Sequence, residues 1–238
     1  MRLTPNCAVN TKYDSSMNKL ILFDCDGVLV DSEYLASQVF SEALAKYGYT
    51  ISAEESIRRF TGVNEYDCRK ILMSEMDIEI PEDYWHKEKL NLKKAYELYL
   101  TGLLEPLLSF LKTSNTPRAI ASNSSRDHIL HCLELTSQLD YFSPDAIFSA
   151  SQVAKAKPAP DVYLFAATQM MTPPENCLVI EDSITGVQAA QAANMKVFMF
   201  LGAKHSQYDW YHQELKALDV PKFTNHQTLE EAIKAWLK

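Results

Sequence analysis

Asp24 and Asp26 are the residues with the most direct chemical meaning. They flank Cys25 at the end of the apolar run Leu20-Ile21-Leu22-Phe23, and Gly27 follows. An apolar run without polar alternation predicts a strand buried on both faces. Residues two apart on a strand point the same way. Both carboxylates would therefore converge at the strand's carboxyl end, where open parallel sheets bind ligands. Gly27 permits a tight turn or a close backbone approach there. Asp and Gly are also ordinary turn residues, so the stretch takes its meaning from what the rest of the chain adds.

Three other segments end in polar residues of useful type. The apolar run 118–122 ends at Ser122 and Asn123, and the run 177–181 ends at Glu181 and Asp182. Lys157, in Lys155-Ala-Lys157-Pro158, lies between a short strand at 146–149 and the next helix. Asp24 and Asp182 suit a hard divalent cation, because Mg²⁺ takes oxygen ligands and uses few carboxylates alongside substrate phosphate. Ser122 and Asn123 offer a hydroxyl, an amide and backbone N–H groups to phosphate oxygens, and Lys157 a point charge for the same anion. Singly, each has a plainer reading as a turn, a solvated charge or a helix N-cap. Their recurrence at the ends of successive strands points to one anion site.

The elements that position them follow from periodicity. From 105 onward strand and helix alternate: strands at 118–122, 146–149, 177–181 and 196–201, and helices at 106–112, 127–139, 161–171, 183–193 and 228–237. This predicts an α/β fold with a Rossmann-like, doubly wound parallel sheet covered on both faces. Between 32 and 101 no stretch reads as a buried strand. Helical spacing there predicts helices at 34–47, from Ser52 to Arg59, at 64–76 and at 82–99, with Ser52-Ala-Glu-Glu as a capping box. The organisation expected is a tail at 1–18, an α/β core from 19–33 and 103–238, and an all-helical cap inserted at 34–102.

The chain has 238 residues, with 23 basic and 31 acidic side chains and a net charge of −8. That balance argues against a nucleic-acid or membrane-surface partner, which calls for a basic footprint. The five cysteines are scattered without metal-like spacing. Together with a leader lacking an apolar core, they indicate reduced thiols in a cytoplasmic protein. The six histidines form no evident ligand set, and a surface or structural role is expected for each.

Asp24-Cys-Asp26-Gly-Val-Leu-Val-Asp-Ser32, Ala-Ser122-Asn123-Ser, Ala-Lys157-Pro-Ala-Pro-Asp and Ile-Glu181-Asp182-Ser-Ile-Thr-Gly186 resemble, in order and separation, the four motifs of the haloacid dehalogenase superfamily. The chain resembles in particular its β-phosphoglucomutase-like group of sugar-phosphate phosphatases, whose helical cap is inserted after the first motif. The resemblance implies Asp24 as the nucleophile that forms an aspartyl-phosphate and Asp26 as the acid that protonates the leaving oxygen and then activates water. It implies Mg²⁺ held by Asp24, the backbone carbonyl of Asp26 and Asp182, with Glu181 at or near that shell. Ser122, Asn123 and Lys157 would hold the phosphoryl group, and the cap loop Thr61, Gly62, Val63, Asn64 and Glu65 would read the rest of the substrate. For this role Asp26 must carry a proton, and a sheltered, like-charged setting is expected to supply that shift.

The implied activity is hydrolysis of a small phosphorylated metabolite, a sugar or sugar-acid phosphate, by a monomer whose cap and core complete one site. Mutases of the group carry a His near the position of Ala36 and an Arg where this chain has Glu65, so a phosphosugar mutase is the lesser alternative. A catalytically idle binder of a phosphometabolite is the other.

Overall fold

In a computed structural model, residues 19–61, 63, 65–76, 81 and 83–238 are described. The elements in order are β1 (Leu20–Phe23), α1 (Ser32–Ala45), α2 (Ala53–Phe60), α3 (Glu65–Met76), α4 (Tyr84–Tyr99), α5 (Glu105–Thr113), β2 (Arg118–Ser122), α6 (Arg126–Leu135), β3 (Ile147–Ser149), α7 (Asp161–Gln169), β4 (Cys177–Glu181), α8 (Ile184–Ala192), β5 (Lys196–Phe200), α9 (Asp209–Glu214), β6 (Lys222–Phe223) and α10 (His226–Leu237). The tail at 1–18 lies outside the described residues.

The strands form one sheet in the order β3-β2-β1-β4-β5-β6, with every pairing parallel. β1 is central because its residues are apolar on both faces and fully buried. Ile21 and Phe23 pack with Leu107, Ile129, Leu133 and Ile233 of α5, α6 and α10. Leu20 and Leu22 pack with Val162, Ala166, Val187 and Ala190 of α7 and α8. Burying each large side chain contributes roughly 1.5–3 kcal/mol, which fixes the strand whose end carries Asp24. The doubly wound α/β fold expected from the sequence is the one observed.

Helices α1 to α4 have a separate apolar cluster, formed by Phe40, Ala43, Leu44, Cys68, Leu72 and Tyr84. The Ser52 hydroxyl accepts the Glu55 N–H at 3.1 Å, capping α2. The two passages between these helices and the sheet run side by side: Asp31 N donates to Thr101 O at 3.0 Å and Leu103 N to Leu29 O at 2.9 Å. Two short elements escaped the periodic reading, α9 and the edge strand β6. Neither is long enough to show a repeat.

Cys25, Cys68, Cys132 and Cys177 are buried free thiols. Among the described residues no helix is long and apolar enough to cross a membrane.

Candidate active site

In register, Phe23 stands between Ile120 of β2 and Ile180 of β4. The residues that follow on all three strands therefore reach one edge of the sheet. Asp24 N donates to Ile180 O at 3.0 Å, which sets the Asp24 side chain beside the end of β4. Lys157 Nζ bridges Asp24 Oδ1 at 2.6 Å and Glu181 Oε1 at 2.8 Å. Asn123 fixes the backbone that carries this lysine: its Oδ1 accepts Lys157 N at 2.9 Å and its Nδ2 donates to Lys157 O at 3.3 Å. Ser122 Oγ accepts Ser124 N at 3.2 Å. A cavity of about 170 Å³ opens here, lined among others by Asp24, Asp26, Ser122, Asn123, Lys157 and Asp182. Thr61 of the cap loop lines it from the helical side. Val63 lines an adjoining cavity. Gly62, Asn64 and the Glu65 side chain lie outside the described residues.

Glu181, expected at or near the cation shell, has both carboxylate oxygens in other hydrogen bonds. Its Oε1 accepts Lys157 Nζ and the Tyr163 hydroxyl, the latter at 3.0 Å. Its Oε2 accepts Asp182 N, Ser183 N and Ser183 Oγ at 2.8 to 3.0 Å. Both oxygens are thus engaged, and the residue is 1% exposed. Burial alone would raise its pKa, but the Lys157 ammonium outweighs it and keeps Glu181 ionised. Glu181 therefore seats Lys157 and the start of α8. Gly186 is obligatory for this, since a Cβ there would lie 1.7 Å from Glu181 Oε1.

Asp26 also differs from expectation. Ser32 Oγ donates to its Oδ1 at 2.7 Å and Ser124 Oγ to its Oδ2 at 2.6 Å. His128 Nε2 stands 3.1 Å from Oδ1. Burial would raise its pKa, yet the His128 hydrogen bond and charge, with the two hydroxyls, lower it to about 2. The same contact, against burial, lifts His128 to about 11, so the proton of the pair sits on His128. Asp24 moves the other way, well above the carboxylate range, through burial and then Glu181, Asp182 and Asp26, with Lys157 opposing. With no cation bound, Asp26 is held ionised where a proton was expected, because Ser32 at the start of α1 and Ser124 and His128 after β2 all reach its carboxylate.

His128 and His205 were not among the expected site residues. His205 lines the cavity, with Nε2 2.8 Å from Asp182 Oδ2. Burial lowers its pKa. The signal available was position: His128 lies in the first turn of α6 after β2, and His205 in the segment after β5. Both are carboxyl-end locations on the same sheet. Ser32, Ser124, Glu33 and Tyr163 likewise join the site through the fold.

A divalent cation fits the donor set. Burial first, and neighbouring carboxylates second, push Asp182 as well as Asp24 far above the usual range. Two buried acids that resist joint ionisation are relieved by a hard cation. The Asp182 carboxylate also lies against Gly27, where φ is +78° and a Cβ would meet Asp182 Oδ2 at 2.1 Å. Among the described residues no three His, Cys, Asp or Glu side chains form a ready cage. The carboxylates of Asp24 and Asp182 are of the oxygen-donor type, and of the small number, that Mg²⁺ accepts from a protein.

The profile of haloacid dehalogenase-like hydrolases matches residues 21–200, and the chain belongs to that family. It is 29% identical over 217 residues to the 6-phosphogluconate phosphatase of Escherichia coli (strain K12), covering 91% of this chain and 93% of that one. It is 30% identical over 193 residues to the phosphorylated carbohydrates phosphatase of Thermotoga maritima, covering 79% and 87%. The crystal structure of a family hydrolase from Deinococcus radiodurans, solved with bound phosphate and sodium, superposes with a TM-score of 0.79 at 31% identity, covering 92% and 96%. With relatives named as phosphatases and the phosphoryl-transfer motifs in place, the chain is an enzyme of the phosphoric monoester hydrolase class.

Proposed function

We propose that the chain hydrolyses a small phosphorylated metabolite of sugar type, with Mg²⁺, through an aspartyl-phosphate on Asp24. The observation that carries this reading is the convergence of Asp24, Lys157 and Asp182 at one buried sheet edge. Lys157 lies 2.6 Å from Asp24, where it offsets the repulsion between a carboxylate and a phosphate dianion. Bound Mg²⁺, held by Asp24, Asp182 and the Asp26 carbonyl, would supply charge neutralisation at the phosphoryl oxygens.

In the first step an Asp24 oxygen bonds to phosphorus as the bond to the ester oxygen breaks. Asp26 gives its proton to the departing alcohol. In the second step water gives a proton to Asp26 and attacks phosphorus, which releases phosphate and restores Asp24. Asp26 is ionised at rest with the proton of the pair on His128 Nε2, 3.1 Å away; that proton passes to Asp26 when substrate binds and is replaced by the one water gives up in the second step. A phosphate dianion placed beside it raises its proton affinity by like-charge repulsion. Residues 34–102 act as the lid, with Thr61 over the reacting group; closure excludes water. Ala36 lines the cavity on the helical side, so the imidazole that mutases place near that position is absent, which favours hydrolysis.

The test is phosphate release from p-nitrophenyl phosphate with and without Mg²⁺. Release that needs Mg²⁺ and is lost in Asp24→Asn is expected. Release that ignores both changes overturns the reading.

A further inference from the structure

Tyr163, on α7, is fully buried. It belongs to the apolar cluster that includes Leu22, Val162, Ala166 and Val179. A core position of that kind calls for Phe or Leu, because a buried hydroxyl without a partner is costly. Here the hydroxyl has a partner: it donates to Glu181 Oε1 at 3.0 Å. The same oxygen accepts Lys157 Nζ at 2.8 Å. The Tyr163 ring also faces the lysine, its centroid 4.5 Å from Nζ. One side chain thus touches both the ammonium of the site and a carboxylate that shares it.

Lysine carries a compact ammonium on a flexible stem, so its direction must be imposed by neighbours. Lys157 stands between two carboxylates, Asp24 Oδ1 at 2.6 Å and Glu181 Oε1 at 2.8 Å. Glu181 is held by its other oxygen, which accepts Asp182 N, Ser183 N and Ser183 Oγ. It therefore pulls on the lysine from a fixed place. The Tyr163 O–H satisfies part of the charge on Glu181 Oε1 that Lys157 would otherwise meet alone, and so weakens that pull. The ring face attracts the cation, and the surrounding core fixes where it does so. Tyr163 follows Lys157 by six residues, so the lysine and its support are carried by one segment running into α7.

We propose that Tyr163 is a positioning residue for phosphoryl transfer: its hydroxyl, bonded to Glu181, and its ring, set against Lys157, keep the ammonium directed at Asp24 and at the phosphoryl group arriving there. This rests on the phosphatase reading and deepens it. A residue that only packs would support the fold whether or not Lys157 is present.

The experiment is a double-mutant cycle in p-nitrophenyl phosphate turnover with Mg²⁺, on full-length variants verified as folded by thermal melting. Tyr163→Phe keeps the ring and removes the hydroxyl. It should lower kcat about tenfold while KM moves by less than about twofold, as for a displaced group acting in the transition state. Tyr163→Leu, which removes the ring as well, should cost about 10²-fold in kcat. In a Lys157→Met background Tyr163→Phe should add less than about twofold, because residues that act through one another are not additive. Lys157→Gln is a second background, so one folded lysine variant suffices. Loss by the same factor with and without Lys157, or an unchanged kcat in Tyr163→Phe, overturns this inference alone. A wild-type chain without Mg²⁺-dependent turnover overturns the phosphatase reading and this inference with it.

Discussion

The carboxyl edge of the sheet and the cavity within the helices are built on opposite principles. At the sheet edge Asp24, Asp26, Lys157 and Glu181 each have short polar partners, and several of those partners are backbone groups or residues next to a strand end. In the helical cavity braced aromatic rings stand beside the hydroxyls of Ser37, Ser56 and Thr61, with Glu33, Glu88 and Lys89 also in the lining. Buried polar networks are costly when incomplete, so the sheet edge tolerates little change. Apolar surfaces accept other apolar shapes at modest cost. Under the proposed function the labour divides: the edge would set the reaction for any substrate, and the helices would set which substrate arrives.

Substitutions can break that comparison. Asp24→Asn should have the largest effect, a loss on the order of 10⁴-fold or more in kcat for every substrate, as for removal of a covalent nucleophile. Lys157→Met should cost about 10²- to 10³-fold in kcat, as for a group that stabilises transition-state charge, again without reordering substrates. Gly186→Ala acts on the same network through sterics. Its methyl would displace Glu181, so steady-state kinetics should show a loss of kcat for all substrates, smaller than for Lys157→Met. If any of these three changed the ranking of substrates, the edge would be choosing as well as reacting.

A smaller effect tests the latch on Asp26. In Mg²⁺-free protein the folded-state pKa of His128, about 11, exceeds the unfolded value of about 6.5. Its stabilisation is therefore complete below about pH 6.5 and lost as pH rises toward 11. Asp26, at about 2, loses its share only as pH falls from about 4 toward 2. The melting-temperature gap between wild type and His128→Gln should be widest near pH 6 and shrink by pH 10. A gap that stays constant with pH would show that His128 acts by packing.

The same contrast explains what was legible in the sequence. β1, β2 and β4 were readable because strands buried on both faces are written as unbroken apolar runs, and their ends carry Asp24, Ser122 and Glu181-Asp182. The state of Asp26 was not readable, because Ser32, Ser124 and His128 meet only in the fold. The same holds for Glu181, whose oxygens are engaged by Lys157 and by Tyr163 of a different helix. The helices 34–99 were legible as amphipathic segments. Their cavity was not, since Phe40, Phe60 and Trp85 look like core residues until α1, α2 and α4 are assembled.

The central claim is a covalent phosphoryl group on Asp24. Acid quench during turnover of p-nitrophenyl phosphate with Mg²⁺, followed by borohydride reduction and peptide mass spectrometry, tests it directly. Conversion of Asp24, and of no other acid, to homoserine is expected. Undiminished turnover with Asp24 unreduced, or reduction at Asp26 or Asp182 instead, would contradict it.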